Sequence, residues 1–301
     1  DCQGYSITKS NQLSEGINNW YYNFTTIKNC VINGFNDAIN FEMNKNGTFM
    51  NITINGSDTG ISFYGSDYNN ISNVWVKNYI SFGVYLQGGN NIFRDSYLNL
   101  TRLADNDYDS LNNVFINISN TAESFTNIRN KNQIIKKWYF QTQVNNSVGY
   151  LSGATVNIYD KDGTLMHSQL TGATGAITRQ EVIEYVNNGG TKTFSTPHTV
   201  NISASGYTTN STVYNLTTST NVMEYVTLST SNSAPTMILS TPTNNSWSNS
   251  LTNDMTCNST DSEGNLKNVT IYTWLGGVSE TINTKTITGS SNSTTFSSSF
   301  I

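Results

Sequence analysis

This sequence is poor in charge: Asp, Glu, Lys and Arg make up only 12% of 301 residues, for a net charge of −5. Mild acidity without a basic run excludes the electrostatic footprint of a nucleic-acid binder. Proline is nearly missing, with 3 residues, and the 2 histidines, His167 and His198, are too far apart in sequence to suggest a copper site or a histidine-centred triad. Three cysteines, Cys2, Cys30 and Cys257, are too few for a disulfide scaffold and too scattered for a zinc site. No apolar run reaches membrane-spanning length. The opening DCQGYSITKS is not a signal peptide, so an exported form has lost its leader or carries it upstream. The low charge does not read as disorder, because 12% of the residues are aromatic. What the chain has instead is amide and hydroxyl: 46 Asn, 36 Ser and 41 Thr. Its length suits two or three domains with ample core.

The stretch YNNISNVWVKN (68–78) sets a puzzle, since asparagine is depleted in strands while Ile71, Val74 and Val76 are spaced like one. A repeat explains it. Steps of 22 from Ile27 meet Phe49, Ile71, Phe93 and Phe115. The same step from Cys30 meets Ile52, Val74, Ser96 and Ile118, and from Ile32 it meets Ile54, Val76 and Leu98. A second strand follows with Ile17, Ile39 and Ile61, then Val84 after one inserted residue. Apolar columns at one strand-like period, with turn glycines and no helical pattern, predict a β-solenoid. Asparagine has columns of its own. One runs Asn29, Asn51, Asn73, Asp95, Asn117, and a shorter one runs Asn69, Asn91, Asn113. Coils stack about 4.8 Å apart, so like side chains can hydrogen-bond along a ladder. The first ladder is expected at a bend that faces the core.

The segment TTIKNCVINGFNDAINFEMNKNGTFMNITINGS resembles the parallel β-helix repeats of NosD-like and pectate-lyase-like proteins, and DCQGYSIT resembles the first coil of archaeal surface proteins with such repeats. The resemblance covers residues 1 to about 125. It implies a fold shared by polysaccharide lyases, epimerases, phage tailspikes and surface proteins. Further on, GATVNIYDKDGTLMHSQLTGATGA and PHTVNISASGY resemble the carboxypeptidase-regulatory-like, transthyretin-type sandwich, a spacer module. TMILSTPTNNSWSNSLTNDMTCNSTDSEGNLKNVTIYTWLGG resembles the first half of an immunoglobulin-like domain. That resemblance implies that Cys257 is the first half of an inter-sheet disulfide whose partner lies past Ile301; the alternative is a buried thiol. The expected architecture is all-β: a right-handed parallel β-helix (1–134), a transthyretin-type sandwich (135–229) and an Ig-like sandwich (230–301), the last incomplete.

Candidate chemistry is sparse. Enzymatic β-helices set clustered carboxylates on one lateral face, and here only Glu15 and Asp37 stack, with Asp58 displaced by one. Two such acids can share a proton or flank a glycosidic bond, but no basic partner stands in their column. Asp105, Asp107 and Asp109 alternate like a calcium loop yet lack its glycine and its final acid, Ser110 and Ile116 standing there. Asp261 and Glu263 form a weaker version. Calcium is therefore the one candidate cofactor, and solvated surface acids are the default.

Fifteen Asn-x-Ser/Thr sequons occur: Asn23, Asn46, Asn51, Asn55, Asn70, Asn99, Asn117, Asn145, Asn201, Asn210, Asn215, Asn244, Asn258, Asn268 and Asn292. Composition alone accounts for about twelve, but an exposed sequon on an exported chain is modified whatever its origin. Asn55 and Asn99 share the outward column of Lys77 and are expected to carry glycan; Asn51 and Asn117, in the ladder placed against the core, are expected to be bare. Cys2 and Cys30 lie about one coil apart and are a candidate disulfide. A register matching Ile7 to Ile32 would instead set Cys2 over Ile27. The expected role is a non-enzymatic structural subunit of an extracellular cell-surface assembly (surface layer, stalk or filament) that polymerises with copies of itself and carries N-glycans. The competing readings are a β-helix that binds or cleaves polysaccharide, and an adhesin.

Overall fold

The computed structural model describes residues 1–9, 14–98, 100–104, 111–118, 122–126, 132–218, 220–243, 252–275 and 278–299. These form strands, turns and loops without a helix, in two compact units: Asp1–Ser205 with Thr209–Leu228, and Gly206–Thr208 with Ser229–Ile301.

The first unit opens as a β-solenoid of about 5 turns. In chain order its strands are β1 (Ser6–Thr8), β2 (Ile17–Trp20), β3 (Thr26–Asn33), β4 (Asp37–Glu42), β5 (Thr48–Asn55), β6 (Thr59–Tyr64), β7 (Asn70–Lys77) and β8 (Phe82–Gln87). They continue with β9 (Ile92–Arg94), β10 (Leu100–Ala104), β11 (Asn113–Ile116) and β12 (Ala122–Thr126). Odd-numbered strands build one parallel sheet and even-numbered strands the other. The register follows the repeat: Ile27 pairs with Phe49, Phe49 with Ile71, Ile71 with Phe93, and Phe93 with Phe115. All five are buried. On the second sheet Ile17, Ile39, Ile61 and Val84 align likewise. Phe41, Phe49, Phe63, Phe93 and Phe115 run through the interior with ring centroids 4.6–6.2 Å apart. These edge-on and stacked contacts add to the hydrophobic gain of burial, about 0.5–1.5 kcal/mol per pair.

The asparagine puzzle resolves at the backbone. Asn29, Asn51, Asn73, Asp95 and Asn117 all have φ between 49° and 57°. A left-handed residue breaks the in-out alternation, which is why Ile27 and Cys30 are three apart yet both buried, and Cys30 and Ile32 two apart. Asn and Asp enter that region more readily than other side-chain-bearing residues. The ladder faces outward, contrary to expectation: Asn51 and Asn73 are exposed, and each donates Nδ2 to Oδ1 of the coil before, Asn51 to Asn29 at 3.1 Å and Asn73 to Asn51 at 3.3 Å. The inward ladder is the shorter column. Asn69, Asn91 and Asn113 are buried, and each Oδ1 accepts the backbone N–H one coil earlier, from Gly47, Asn69 and Asn91 at 2.7, 3.0 and 3.1 Å.

Cys2 and Cys30 are joined by a disulfide although Ile7 does pair with Ile32. The two registers coexist because a turn at Gln3–Gly4, with φ of 52° and 85°, absorbs three residues between the disulfide and β1.

β13 (Gln133–Asn146) closes the solenoid, and the expected boundary at residue 134 falls inside it. It pairs in parallel with β11 through residues 134–137, as one more coil would. Its other edge pairs antiparallel with a later strand. After β14 (Gly149–Tyr150), β15 (Thr155–Tyr159) and β16 (Leu165–Leu170), the chain returns as β17 (Gln180–Asn188) on that edge. β18 (Thr191–Phe194), β19 (His198–Ser203), β20 (Asn210–Tyr214) and β21 (Val222–Thr227) follow. β21 takes the edge of β13 that β11 leaves, pairing from Phe140 to Asn145. The sheet β16-β15-β19-β20 forms a second layer, where Tyr214 meets Phe140 with ring centroids 5.8 Å apart.

The second unit holds β22 (Thr236–Thr241), β23 (Thr252–Thr260), β24 (Asn268–Leu275), β25 (Val278–Thr286) and β26 (Ser291–Ser299) in a three-stranded and a two-stranded sheet. Cys257, Leu266, Val269, Ile287 and Phe296 make its core, and Cys257 is an unbonded thiol there.

Candidate functional site

The acids singled out in the sequence meet different fates. Asp37 is half-buried, and burial pushes its carboxyl above the ordinary range; the Thr59 hydrogen bond opposes this, while the charges of Glu15 and Asp58 add to it. The three acids are therefore near enough to interact. Each of the other two is occupied by neighbours. Glu15 accepts from Asn18 Nδ2 at 2.5 Å and Asn40 Nδ2 at 3.1 Å, and Asp58 accepts from the Ser81 hydroxyl at 2.6 Å. Among the described residues, none of the ion pairs includes them. Asp105, Asp107 and Asp109 lie outside the described residues, as do Asn99 and Asn244.

Asp261 is buried in a turn, and its Oδ1 accepts the backbone N–H of Glu263 at 2.9 Å and of Asn265 at 3.4 Å. Asp160 serves the same turn in the first unit, accepting from Asp162 N at 3.0 Å and Thr164 N at 2.8 Å. Both acids are thus local caps of an acid-glycine turn. The fold brings His198 within electrostatic range of His167, although sequence separates them. Burial pushes the His198 ring below its ordinary pKa, Asp160 opposing and His167 adding. Among the described residues no group of three His, Cys, Asp or Glu is gathered as a metal ligand set.

A charged and amide-rich cluster lies where the solenoid meets β13, and sequence reasoning missed it. Glu181 of β17 receives both Arg94, in an ion pair from β9, and Lys137 Nζ at 3.3 Å. Burial alone pushes the Glu181 carboxyl up, but the bonded Arg94 and the charge of Lys137 outweigh it and hold it below the usual carboxylate range. The Tyr139 hydroxyl donates to Asp95 Oδ2 at 3.1 Å, and the Arg179 guanidinium lies 3.8 Å from the Tyr139 ring centroid. Burial raises the phenol's pKa, and the Asp95 charge raises it further. The outer ladder runs straight into this cluster. Asn117 Nδ2 donates to Asp95 at 2.7 Å, and Asn221 Nδ2 donates to Asn117 Oδ1 at 2.7 Å. Asn221 Oδ1 in turn accepts the Tyr139 N–H at 2.9 Å. Asn221 thus stands in the ladder at the coil after Asn117, contributed by the segment before β21. A cavity of about 240 Å³ remains among Asp95, Asn117, Tyr139, Arg179 and Asn221. Its chemistry is that of a lock: one carboxylate is shared by two cations, and amides join two supersecondary parts.

A third feature sits on the outer face of the solenoid. Trp75 and Tyr97, one coil apart, stack with centroids 6.0 Å apart and planes 10° from parallel, and Lys77 Nζ lies 5.3 Å from the Trp75 ring.

No family model matches the chain, and no curated protein does. Among solved structures it is similar to the major pilin subunit BcpA of Bacillus cereus, at 15% identity over 45% of each chain with a TM-score of 0.24. A point variant of that pilin matches over 55% of this chain and 59% of its own, again at 15% identity, with a TM-score of 0.27. The matched segments span about half the length of those pilin chains. Scores this low show no common fold and carry no functional argument.

Proposed function

We propose that this chain is a structural subunit of an extracellular surface assembly, a layer, stalk or filament, in which copies associate and N-glycans cover the exterior. On this reading the solenoid is of the NosD-like type found in archaeal surface proteins, followed by a transthyretin-type spacer and an Ig-like module. The observation that carries the proposal is β13, one strand that serves as the last coil of the solenoid and as the shared strand of the next layers. A spacer has to keep its parts in line, and a strand common to two parts does so without a hinge. The Arg94–Glu181–Lys137 cluster supports the same reading, since it spends its charges on the joint. Electron microscopy of native surface material tests the proposal. A periodic polymer containing the chain is expected; uniformly dispersed single chains would overturn it.

A second reading, a polysaccharide binder, rests on the Trp75–Tyr97 stack, because flat aromatic faces suit the C–H faces of sugars. Affinity electrophoresis in acidic and neutral glycans tests it: retardation of the wild type that is lost in Trp75→Ala would favour this reading.

A further inference from the structure

Five large aromatic side chains of the first coil are more than half exposed: Tyr5, Trp20, Tyr21, Tyr22 and Phe24. The solenoid does not demand them. One coil on, the positions of the last four hold Glu42, Met43, Asn44 and Asn46. Single exposed aromatics are ordinary, but four within residues 20–24 make a local patch, which marks something that covers it. In the middle of the patch stands Asn23, the first residue of the sequon Asn23-Phe24-Thr25.

The corner is firmly built. Tyr21 N donates to Glu42 O at 3.0 Å and Phe24 N to Lys45 O at 2.9 Å, and both residues are left-handed, an uncommon state for bulky aromatics. Tyr22 O accepts from Asn44 Nδ2 at 2.7 Å. The Thr25 hydroxyl accepts from Asn19 Nδ2 at 2.7 Å. Asn23 itself is exposed, and its Oδ1 accepts the Lys45 N–H at 2.7 Å. That contact fixes the amide by its oxygen and makes no use of Nδ2, the atom to which a glycan bonds.

We propose that Asn23 carries an N-linked glycan whose first sugar lies on the aromatic face of Tyr21, two residues before it, and that this sugar covers the first-coil patch. The proposal rests on the reading of the chain as an exported glycoprotein. In the modification an Nδ2–C1 bond replaces one Nδ2–H bond of Asn23. The C1–O bond of an activated sugar phosphate breaks, and the phosphate leaves with the electron pair and accepts the proton, so no oxidant or reductant is needed. The C–H-rich face of the sugar then removes aromatic surface from water, which holds the left-handed corner in place. Asn46, one coil on and one position later in the turn, is also exposed but has Met43, Asn44 and Lys45 before it and offers no such platform.

The test uses the chain produced in a cell that glycosylates its exports. Glycopeptide mass spectrometry reads occupancy at Asn23, Asn46 and Asn55, and thermal melts compare intact with enzymatically deglycosylated protein. Asn23 is expected to be occupied. Deglycosylation is expected to lower Tm by about 2–4 °C in the wild type, and to have a clearly smaller effect in Tyr21→Ser, with Phe24→Ser as a second variant. Asn46→Gly, which removes that sequon and keeps the positive φ of 59°, is expected to leave Tm unchanged. A bare Asn23 beside an occupied Asn46 or Asn55 overturns this proposal alone. So does an equal loss of Tm in wild type and Tyr21→Ser. If all three sequons are bare, the glycoprotein reading falls with it.

Discussion

Two asparagine ladders climb the same solenoid at the same period, and they exist for different reasons. In the inner ladder the side chain matters. Asn91 accepts from both N and Nδ2 of Asn69, and its own Nδ2 donates to Ser66 O and to Asn113 Oδ1. Each amide thus satisfies backbone groups that have no water to turn to. In the outer ladder the backbone matters. Its members are left-handed, and their amides meet one another at the surface. Asp95 replaces asparagine there without loss of the corner, keeping a φ of 49°. A carboxylate in the inner column would be a buried charge without a partner. One residue type, repeated, can therefore be fixed by its amide or by its φ.

The largest effect should come from breaking the inner ladder. Asn91→Ala orphans the Asn69 N–H, the Asn69 side-chain amide and the Ser66 carbonyl together, and each buried unpaired group costs about 1–3 kcal/mol. A loss of about 3–6 kcal/mol by denaturant unfolding is expected; a loss below about 1 kcal/mol would mean that water reaches that column. The outer ladder should answer to conformation instead. Asn73→Val is expected to cost about 1–3 kcal/mol, because a β-branched residue resists positive φ. Asn73→Gly should stay within about 0.5 kcal/mol of wild type. Equal losses in the two variants would show that the amide, not the backbone, is what the outer column needs.

Asn221→Ala tests where the outer ladder ends. It leaves the Tyr139 N–H without its acceptor and should cost about 1–2 kcal/mol. Adding Asn117→Ala should then cost less than that change alone, since the two share one bond. The smallest effect concerns pH. The Glu181 carboxyl is held low when folded, so its contribution is present above the ordinary carboxylate pKa and is lost as pH falls through the folded value. The stability gap between wild type and Glu181→Gln should be flat above about pH 5 and close as pH falls below about 4. A gap that persists in acid would assign the difference to packing.

Much of the solenoid was legible because its interior obeys one arithmetic. Ile27, Phe49, Ile71, Phe93 and Phe115 recur at 22 and must share a wall, whatever the coil looks like in detail. The facing of the asparagines was not legible. A left-handed residue uncouples the next side chain from the last, so the three-residue step from Ile27 to Cys30 fits an amide pointing either way. Asparagine is also uncharged, and gives no sign of preferring water. The first coil offered the disulfide and the Ile7–Ile32 register as alternatives for a similar reason, since a turn at Gln3–Gly4 hides three residues of offset from any column count and lets both hold. The joint was beyond reach. Asn117 meets Asn221 across 104 residues, and neither lies in a local pattern that names the other.

β13 also decides where such a molecule can lengthen. A 22-residue segment such as 48–69 brings two strands, their corners and a rung of each ladder, Asn51 and Asn69, so a tandem duplication inserts a coil whose two faces already match its neighbours. Each insertion adds about 4.8 Å. The last strand is different, because its far edge runs antiparallel to β17 and is not a coil surface. Copying it would mean copying the layers beyond it as well. Length can therefore vary upstream of β13 in quanta of one coil while the joint is inherited unchanged, which makes the solenoid a ruler with one adjustable end.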